Sequence, residues 1–375
     1  MSNFEVIDLF AGCGGLSHGF RESGFKISAH LEIDQNCCET LEENSDTNEL
    51  IINADIMEHE SYLENLKSSI NGDLDGIIGG PPCQAYSIAS RNKDENKMDE
   101  DPRNFLFESF NFLLDELKPN FFIFENVVGM LSAKPFGIDV CDQIYQAFQK
   151  SNYSVKSDFR ECVFDMSEFG IPQKRKRVIL FGINKSKNDE HIDLVNSFYS
   201  EMNKNKIEQK TVRDAIHDLP KIFPKEISKN ISHYSSEEFC EHEPRFHNQR
   251  DIEIFKLLAK DIESGECKYT SAEAIKEIYK KFTNRDSAVH KYNVLRWDKP
   301  SNTIPAHLYK DGLRHIHPDS KQARSITVRE AARLMTFPDQ YKLVGSKGAK
   351  YKMLGNAVPP KFSKIIASTI REILV

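Results

Sequence analysis

The chain has 375 residues, 39% of them apolar and 29% charged, with a formal net charge of −7; this suits one large or two smaller globular domains and excludes disordered, fibrous and strongly basic coating proteins. No run of about 18 apolar residues could span a bilayer, and no basic start leads into an apolar stretch, so neither a membrane span nor a signal peptide is read and a cytoplasmic setting is expected. The eight cysteines, at 13, 37, 38, 83, 141, 162, 240 and 267, include no CxxC pair, and Cys240, His242 and His247 lack the second pair that a zinc motif needs, so free thiols and no metal are expected.

In chain order, β-branched and aromatic runs at Phe4–Phe10, Lys26–Leu31, Leu50–Ile52, Leu74–Ile78, Phe121–Phe124 and Arg177–Ile183 alternate with helical patterns such as Asn104–Leu117 and Val140–Lys150. Apolar residues in those intervening stretches recur at three- and four-residue spacing, which predicts crossover helices over a doubly wound, mostly parallel α/β sheet. A polar, charge-rich loop, Gln84–Arg103, interrupts the alternation and is longer than such connections usually are; it reads as a lid. After Ile183 the passage Asn184–Asn205 turns polar and the alternation stops. The expected organisation is a first domain over 1–183, a smaller second domain over 184–325 with amphipathic helices at Asp251–Ile262 and Ala272–Phe282, and a C-terminal segment over 326–375 with helices at Thr327–Met335 and Lys361–Leu374. From Lys299 onward, 14 Lys and Arg face 5 Asp and Glu, so the basic charge gathers where a phosphate-facing surface could lie.

The first strand runs into Ala11-Gly12-Cys13-Gly14-Gly15-Leu16 and then a helix. Glycines there let a ligand approach the backbone, and the helix start offers free N–H groups. Ser17 stands where a dinucleotide turn wants its third glycine, which weakens a nicotinamide-dependent dehydrogenase reading. Glu32, about 20 residues on, can accept from ribose hydroxyls, and Asp55-Ile56 puts a polar and an apolar residue at the end of a third run. Together they indicate a nucleoside-bearing cofactor.

Strand Leu74–Ile78 ends in Gly79-Gly80-Pro81-Pro82-Cys83-Gln84. The prolines fix a turn that offers Cys83 at the carboxyl edge of the sheet, where it can serve as nucleophile rather than as a buried small apolar group. The next strand delivers Glu125-Asn126-Val127 to the same edge, with Glu125 a candidate proton donor. In Gln173-Lys174-Arg175-Lys176-Arg177, strand alternation puts Arg175 and Arg177 on one face, able to hold a phosphate or a base oxygen, or only to guard a sheet edge.

These blocks, with Arg329–Leu334, Phe337-Pro338-Asp339 and Gly355-Asn356-Ala357-Val358-Pro359-Pro360, resemble in order and spacing the motifs of the DNA cytosine-5 methyltransferases across nearly the whole chain. The resemblance implies a prokaryotic restriction-modification type enzyme with a Rossmann-like methyltransferase fold. It implies S-adenosyl-L-methionine as cofactor, double-stranded DNA as partner, a monomer, a nucleoid-associated place when on DNA, and a cognate restriction endonuclease as genetic rather than physical partner. Cys83 would add to carbon 6 of a flipped-out cytosine while Glu125 binds the exocyclic amine and ring nitrogen 3. Arg177 would contact the base carbonyl, with Arg175 and Gln84 nearby, and the 84–103 loop would close over the base. The cofactor would be held by Phe10, Gly12, Gly14, Glu32, Ile33, Asp55, Ile56, Pro82, Asn356 and Val358, with 326–375 returning to the first domain. Recognition of the target would fall to the second domain, whose later part, Trp297 through His307, resembles the family's shared portion, with Lys310, Arg314 and His315 beyond it adding donors for phosphates and base edges. Met353-Leu354 and the extended 184–300 region depart from the usual pattern. An RNA cytosine-5 methyltransferase uses the same chemistry but usually has another tripeptide after its cysteine. A non-catalytic DNA-binding relative should lack Cys83 or Glu125, and both are present.

Overall fold

The computed structural model describes residues 4–82, 106–235, 237–286, 292–310 and 312–375. The strands are β1 (Glu5–Leu9), β2 (Lys26–Glu32), β3 (Leu50–Asn53), β4 (Gly76–Gly79), β5 (Phe121–Val127), β6 (Tyr153–Ser154), β7 (Val163–Asp165) and β8 (Lys176–Asn184), with a separate pair β9 (Ile222–Ser228) and β10 (Ile231–Ser235). The large sheet runs β3-β2-β1-β4-β5-β8-β6, and β7 also pairs with β8. Strands β3 to β5 are parallel, whereas β8 runs antiparallel to β5, β6 and β7. Apolar runs such as Phe121–Phe124 are buried on both faces, as a sheet covered by helices requires.

Strand order reverses between β1 and β4, whose neighbours lie on opposite sides. Open α/β sheets bind ligands in the crevice at the carboxyl ends of such a pair. Here β1 ends in the glycine turn and β4 in Gly79–Pro82, so both sequence-predicted turns border one crevice.

The helices α1 (Gly15–Glu22), α2 (Gln35–Asn44), α3 (His59–Ser68), α4 (Leu106–Leu117), α5 (Val140–Lys150) and α6 (His191–Lys204) accompany this sheet. The expected break at 183/184 does not coincide with the edge of its core: Val195, Phe198, Tyr199 and Met202 of α6 belong to the same buried cluster. They form one stripe at helical spacing, which the polar composition of 184–205 hides. Helix α12 (Pro360–Leu374) joins that cluster through Phe362, Ile366 and Ile370. It lies so close to α1 that a Cβ at Gly19 would stand 2.5 Å from the Pro360 carbonyl oxygen.

A second buried cluster unites α7 (Val212–Ile216), Leu295–Leu308 and the region of α10 (Val328–Leu334) and α11 (Lys347–Asn356). A third gathers α8 (Gln249–Glu263), α9 (Ala272–Thr283), Tyr292 and Ile316. Besides α6, further elements escape sequence reading. The β9–β10 hairpin, turned by Lys229 and Asn230 at positive φ, contains Pro224 and an exposed polar half; α11 buries Tyr351, Met353 and Leu354 without a regular stripe. Among the described residues no helix is long and apolar enough to cross a membrane.

Candidate active site

The glycine turn is held in left-handed backbone: Phe10 and Gly12 at φ +55° and Gly14 at φ +75°. Such a φ is costly for a phenylalanine and persists only where its surroundings enforce it. Gly14 N–H donates to the Ala11 carbonyl (2.9 Å) and Ala11 N–H to that of Leu31 (3.2 Å), stitching the turn to β2. Glu32 at the end of β2 completes the support. Its Oε2 accepts from Gly12 N–H (2.8 Å), and Oε1 from the N–H groups of Ile33 (2.9 Å) and Asp34 (2.8 Å). Burial raises the Glu32 pKa while these N–H donors oppose the rise, so the carboxylate is oriented with lone pairs to spare for a hydroxylated ligand.

Space for that ligand lies above the turn, since a Cβ on Gly12 would meet nothing closer than the Phe10 carbonyl oxygen at 4.0 Å. Gly14 is closed from below: a Cβ there would come 2.8 Å from Tyr341 Oη, which donates to the Cys13 carbonyl (2.6 Å). Ile33 is 63% exposed and Met57 52%, two apolar side chains that a flat aromatic ring would cover. Ile56, expected at an adenine, instead buries its side chain in the sheet core, and its carbonyl accepts from Tyr62 Oη (2.8 Å). Met57, one residue on and absent from the sequence reading, is the exposed apolar group there, while Asp55 Oδ1 accepts from Met57 N–H (2.9 Å). Val358 is likewise buried, its carbonyl against Gly15, and Asn356 is exposed at the end of α11.

The candidate catalytic edge forms where β4, β5 and β8 lie side by side. Register places Arg177 of β8 opposite Val127, two residues beyond Glu125 on the same face of β5, so the two side chains meet diagonally. Arg177 Nε lies 2.9 Å from Glu125 Oε1 with both side chains nearly buried. That oxygen nevertheless has no well-aligned hydrogen-bond partner. The turn after β4 touches the same carboxyl group, since a Cβ on Gly80 would stand 2.8 Å from Glu125 Oε2. Asn126, next along β5, donates from Nδ2 to the Pro81 carbonyl (3.3 Å) and accepts from Val127 N–H through Oδ1 (2.8 Å). This tether from β5 to the proline turn was missed in the sequence, although Asn126 sits within the quoted block. Pro82 is half-buried; Cys83, Gln84 and the 84–103 loop lie outside the described residues.

Residues 4–372 match the family model described as C-5 cytosine-specific DNA methylase. The chain belongs to that family. Accordingly it is a methyltransferase for carbon 5 of cytosine in DNA, and the family and fold imply use of S-adenosylmethionine. Among similar proteins, type II methyltransferase M.Bpa9945I of Bacillus paralicheniformis is 33% identical over 452 aligned positions, covering 98% of this chain and 99% of that one. Type II methyltransferase M.DdeI of Desulfomicrobium norvegicum is 31% identical, covering 98% of this chain and 88% of the other. A solved DNA modification methyltransferase encoded within an E. coli prophage shares the fold at a TM-score of 0.69 and 24% identity, with 99% of each chain covered. The Dnmt2 methyltransferase of S. pombe shares it at 0.61 and 17%, again over 99% of each chain.

In this methylase the two arginines of the Gln173–Arg177 block part ways. Arg175 precedes β8, so strand alternation does not govern it, and its side chain is wholly buried. It donates to the carbonyls of Ile304 (3.4 Å), Gly355 (3.1 Å) and Ala357 (2.8 Å), and burial, with Arg177 nearby, lowers its pKa strongly. Its two Nη atoms brace the frame, while its buried Nε has no hydrogen-bond partner among the described residues. Gln173, also buried, accepts from Ile304 N–H (3.1 Å). His315, expected among the donors for DNA, is 1% exposed and burial lowers its pKa to about 4; Lys310 and Arg314 are at the surface. Of the other cysteines, burial pushes Cys13, Cys141 and Cys162 up to about 12 and Cys38 to about 11. Those thiols are inert at neutral pH. His242 and His247 turn their ring nitrogens to Thr327, Pro220 and Ser325, and Cys240 is exposed.

Proposed function

We propose that the chain methylates a cytosine within a short duplex sequence as the modification half of a type II restriction-modification system, through a covalent bond from Cys83. The observation that carries this reading is the contact of the Gly80–Pro82 turn with the Glu125 carboxyl group, next to Arg177. Cys83 follows this turn directly in the sequence, and Glu125 is the acid that would bind the same base.

Cytosine is stacked and electron-poor at carbon 5, so it has to leave the helix and gain electron density. The Cys83 thiolate forms a bond to carbon 6. Glu125 holds the exocyclic amine and ring nitrogen 3, stabilising the enamine that addition creates, while Arg177 holds the base carbonyl and keeps Glu125 in place. Gly12 would hold S-adenosylmethionine, with Glu32 toward its ribose and Ile33 and Met57 toward its adenine, and the cofactor would supply an electrophilic methyl group. Carbon 5 of the enamine would take that methyl as its bond to the sulfonium sulfur breaks, and loss of the carbon 5 proton to solvent would then let the sulfur–carbon 6 bond break, restoring both aromaticity and the free thiolate. Arg175 serves as a support, and residues 184–325 as the target-recognition part.

The test is expression in cells devoid of cytosine methylation followed by bisulfite sequencing. Protected cytosines in one short context are expected from the wild type and none from Cys83→Ala. Unprotected DNA from a folded protein that binds S-adenosylmethionine would overturn the reading, and unchanged protection with Cys83→Ala would overturn the mechanism.

A further inference from the structure

Arg245 lies in the stretch to which the motifs give no role. From Nη1 it donates to the Leu308 carbonyl (2.8 Å) and from Nη2 to the Tyr309 carbonyl (2.5 Å), and its guanidinium stands 5.6 Å from the centre of the Tyr351 ring. Gly312 leaves room for it, because a Cβ there would be 2.5 Å from Nη1. The fork is anchored on the framework of the second cluster. Glu241 pairs with Arg329 (3.2 Å) and Lys350 (2.9 Å), Glu243 pairs with Lys347 (2.9 Å), and the Pro244 carbonyl accepts from Lys347 Nζ (3.3 Å).

What Arg245 grips is the turn Ala306–Lys310. Its first end is fixed to the catalytic edge: Ile304 is held by Gln173 and Arg175, Thr303 Oγ1 donates to the Lys174 carbonyl (2.6 Å), and Gly355 presses against Pro305 and Ala306. Leu308 is buried, whereas His307, Tyr309 and Lys310 face solvent. A buried leucine thus plants the turn, and two consecutive carbonyls held by one planar fork set the direction of its projecting side chains. Those side chains suit DNA: an aromatic face, an imidazole and an ammonium group for base edges or phosphates.

We propose that Arg245 is a positioning residue for sequence discrimination, fixing the 306–310 turn so that His307, Tyr309 and Lys310 meet the DNA beside the target cytosine in one arrangement. The inference rests on the DNA-methylating reading above. A turn free to readjust accommodates wrong base pairs that a rigid one rejects. Lysine cannot replace the fork, since its point charge reaches one carbonyl at a time.

Wild type, Arg245→Lys, Arg245→Met and Gly312→Ala are compared as full-length proteins, first by bisulfite sequencing in methylation-free cells and then by kcat/KM on the cognate duplex and its single-base-pair variants. The ratio of cognate to near-cognate kcat/KM is expected to fall about tenfold in Arg245→Met, the size of one weakened base-pair discrimination, and less in Arg245→Lys. Gly312→Ala, which keeps the arginine but crowds it, should relax the ratio in the same direction. A rate that falls equally on every duplex, or a ratio unchanged in both Arg245→Met and Gly312→Ala, would overturn the proposal. A wild type that methylates no DNA would overturn the reading beneath it as well.

Discussion

Gly80→Ala isolates the contact on which the proposed active site depends. The new Cβ would lie 2.8 Å from Glu125 Oε2, against an ordinary contact beginning at 3.4 Å, an overlap of ~0.6 Å. Glu125 cannot yield freely, since its other oxygen is 2.9 Å from Arg177; either that pair opens or the proline turn backs away. Misplacing a reacting group by about 1 Å costs on the order of 10²-fold in rate, so single-turnover methylation should slow by about one to two powers of ten. Gly80 has no left-handed φ that alanine would strain, so folding stability should fall by no more than ~1 kcal/mol. The assay is single-turnover methyl transfer to a cognate duplex at saturating cofactor, paired with a thermal melt. A rate within twofold of wild type, at an unchanged melting temperature, would refute the claim that Gly80 sets the spacing.

Gly19→Val should act on stability instead, because the intruding carbon meets the Pro360 carbonyl oxygen and Ser363 Cβ at 2.5 and 2.6 Å; overpacking two helices costs ~1–3 kcal/mol, measurable by urea unfolding. Glu330→Gln leaves Arg324 without its buried counter-charge, now held by two bonds of 2.7 Å, and should cost ~3–5 kcal/mol in the same experiment. Acid should weaken the fold: burial lowers His233 and His315 to about 4 and His247 and His317 to about 3. A neutral buried histidine contributes stability that is full above its unfolded pKa of ~6.5 and is lost as pH falls toward the folded value. Each should forfeit on the order of 1–2 kcal/mol by pH 5. Asp8, raised by burial to about 6, works in the opposite sense and offsets part of the loss. Unfolding midpoints that stay level from pH 7 to pH 5 would contradict this account.

The α/β sheet was legible because its strands are continuous apolar runs ended by glycine, proline or acidic residues, and those endings also form the candidate site. Glu32 and the Gly12 turn could be paired from their separation alone, which one hydrogen bond in the structure realises. Less legible was what depends on direction. Arg175 and Arg177 look equivalent two residues apart, yet only the second lies within β8 and reaches Glu125. Ile56 and Met57 are similar apolar residues, and only the local turn decides which one faces the core. His315 looked like a surface donor and is buried. The hairpin β9–β10 and helix α11 carry too little periodic apolar character to announce themselves, since half of β9 is exposed and polar and the buried residues of α11 do not form one stripe.

The supports shared between distant motifs explain why they span so much of the chain. Arg175 joins the carbonyl of Ile304, at the foot of the 306–310 turn, to those of Gly355 and Ala357 on either side of Asn356. Gly355 in turn packs against Pro305 and Ala306 with no room for a side chain. Neither segment can shift without breaking a buried charge-assisted bond or opening a backbone contact, and an unsatisfied buried guanidinium is expensive. The segment proposed to meet DNA and the segment proposed to return toward the cofactor crevice are therefore mechanically one piece. Its attachment to the sheet is the short run Gln173–Arg177, which leads into the strand that carries Arg177 to Glu125. On the proposed roles, positioning a cytosine and positioning a methyl donor are referred to the same few residues, so that elements contributed by both ends of the chain would be held in register at a single reacting carbon.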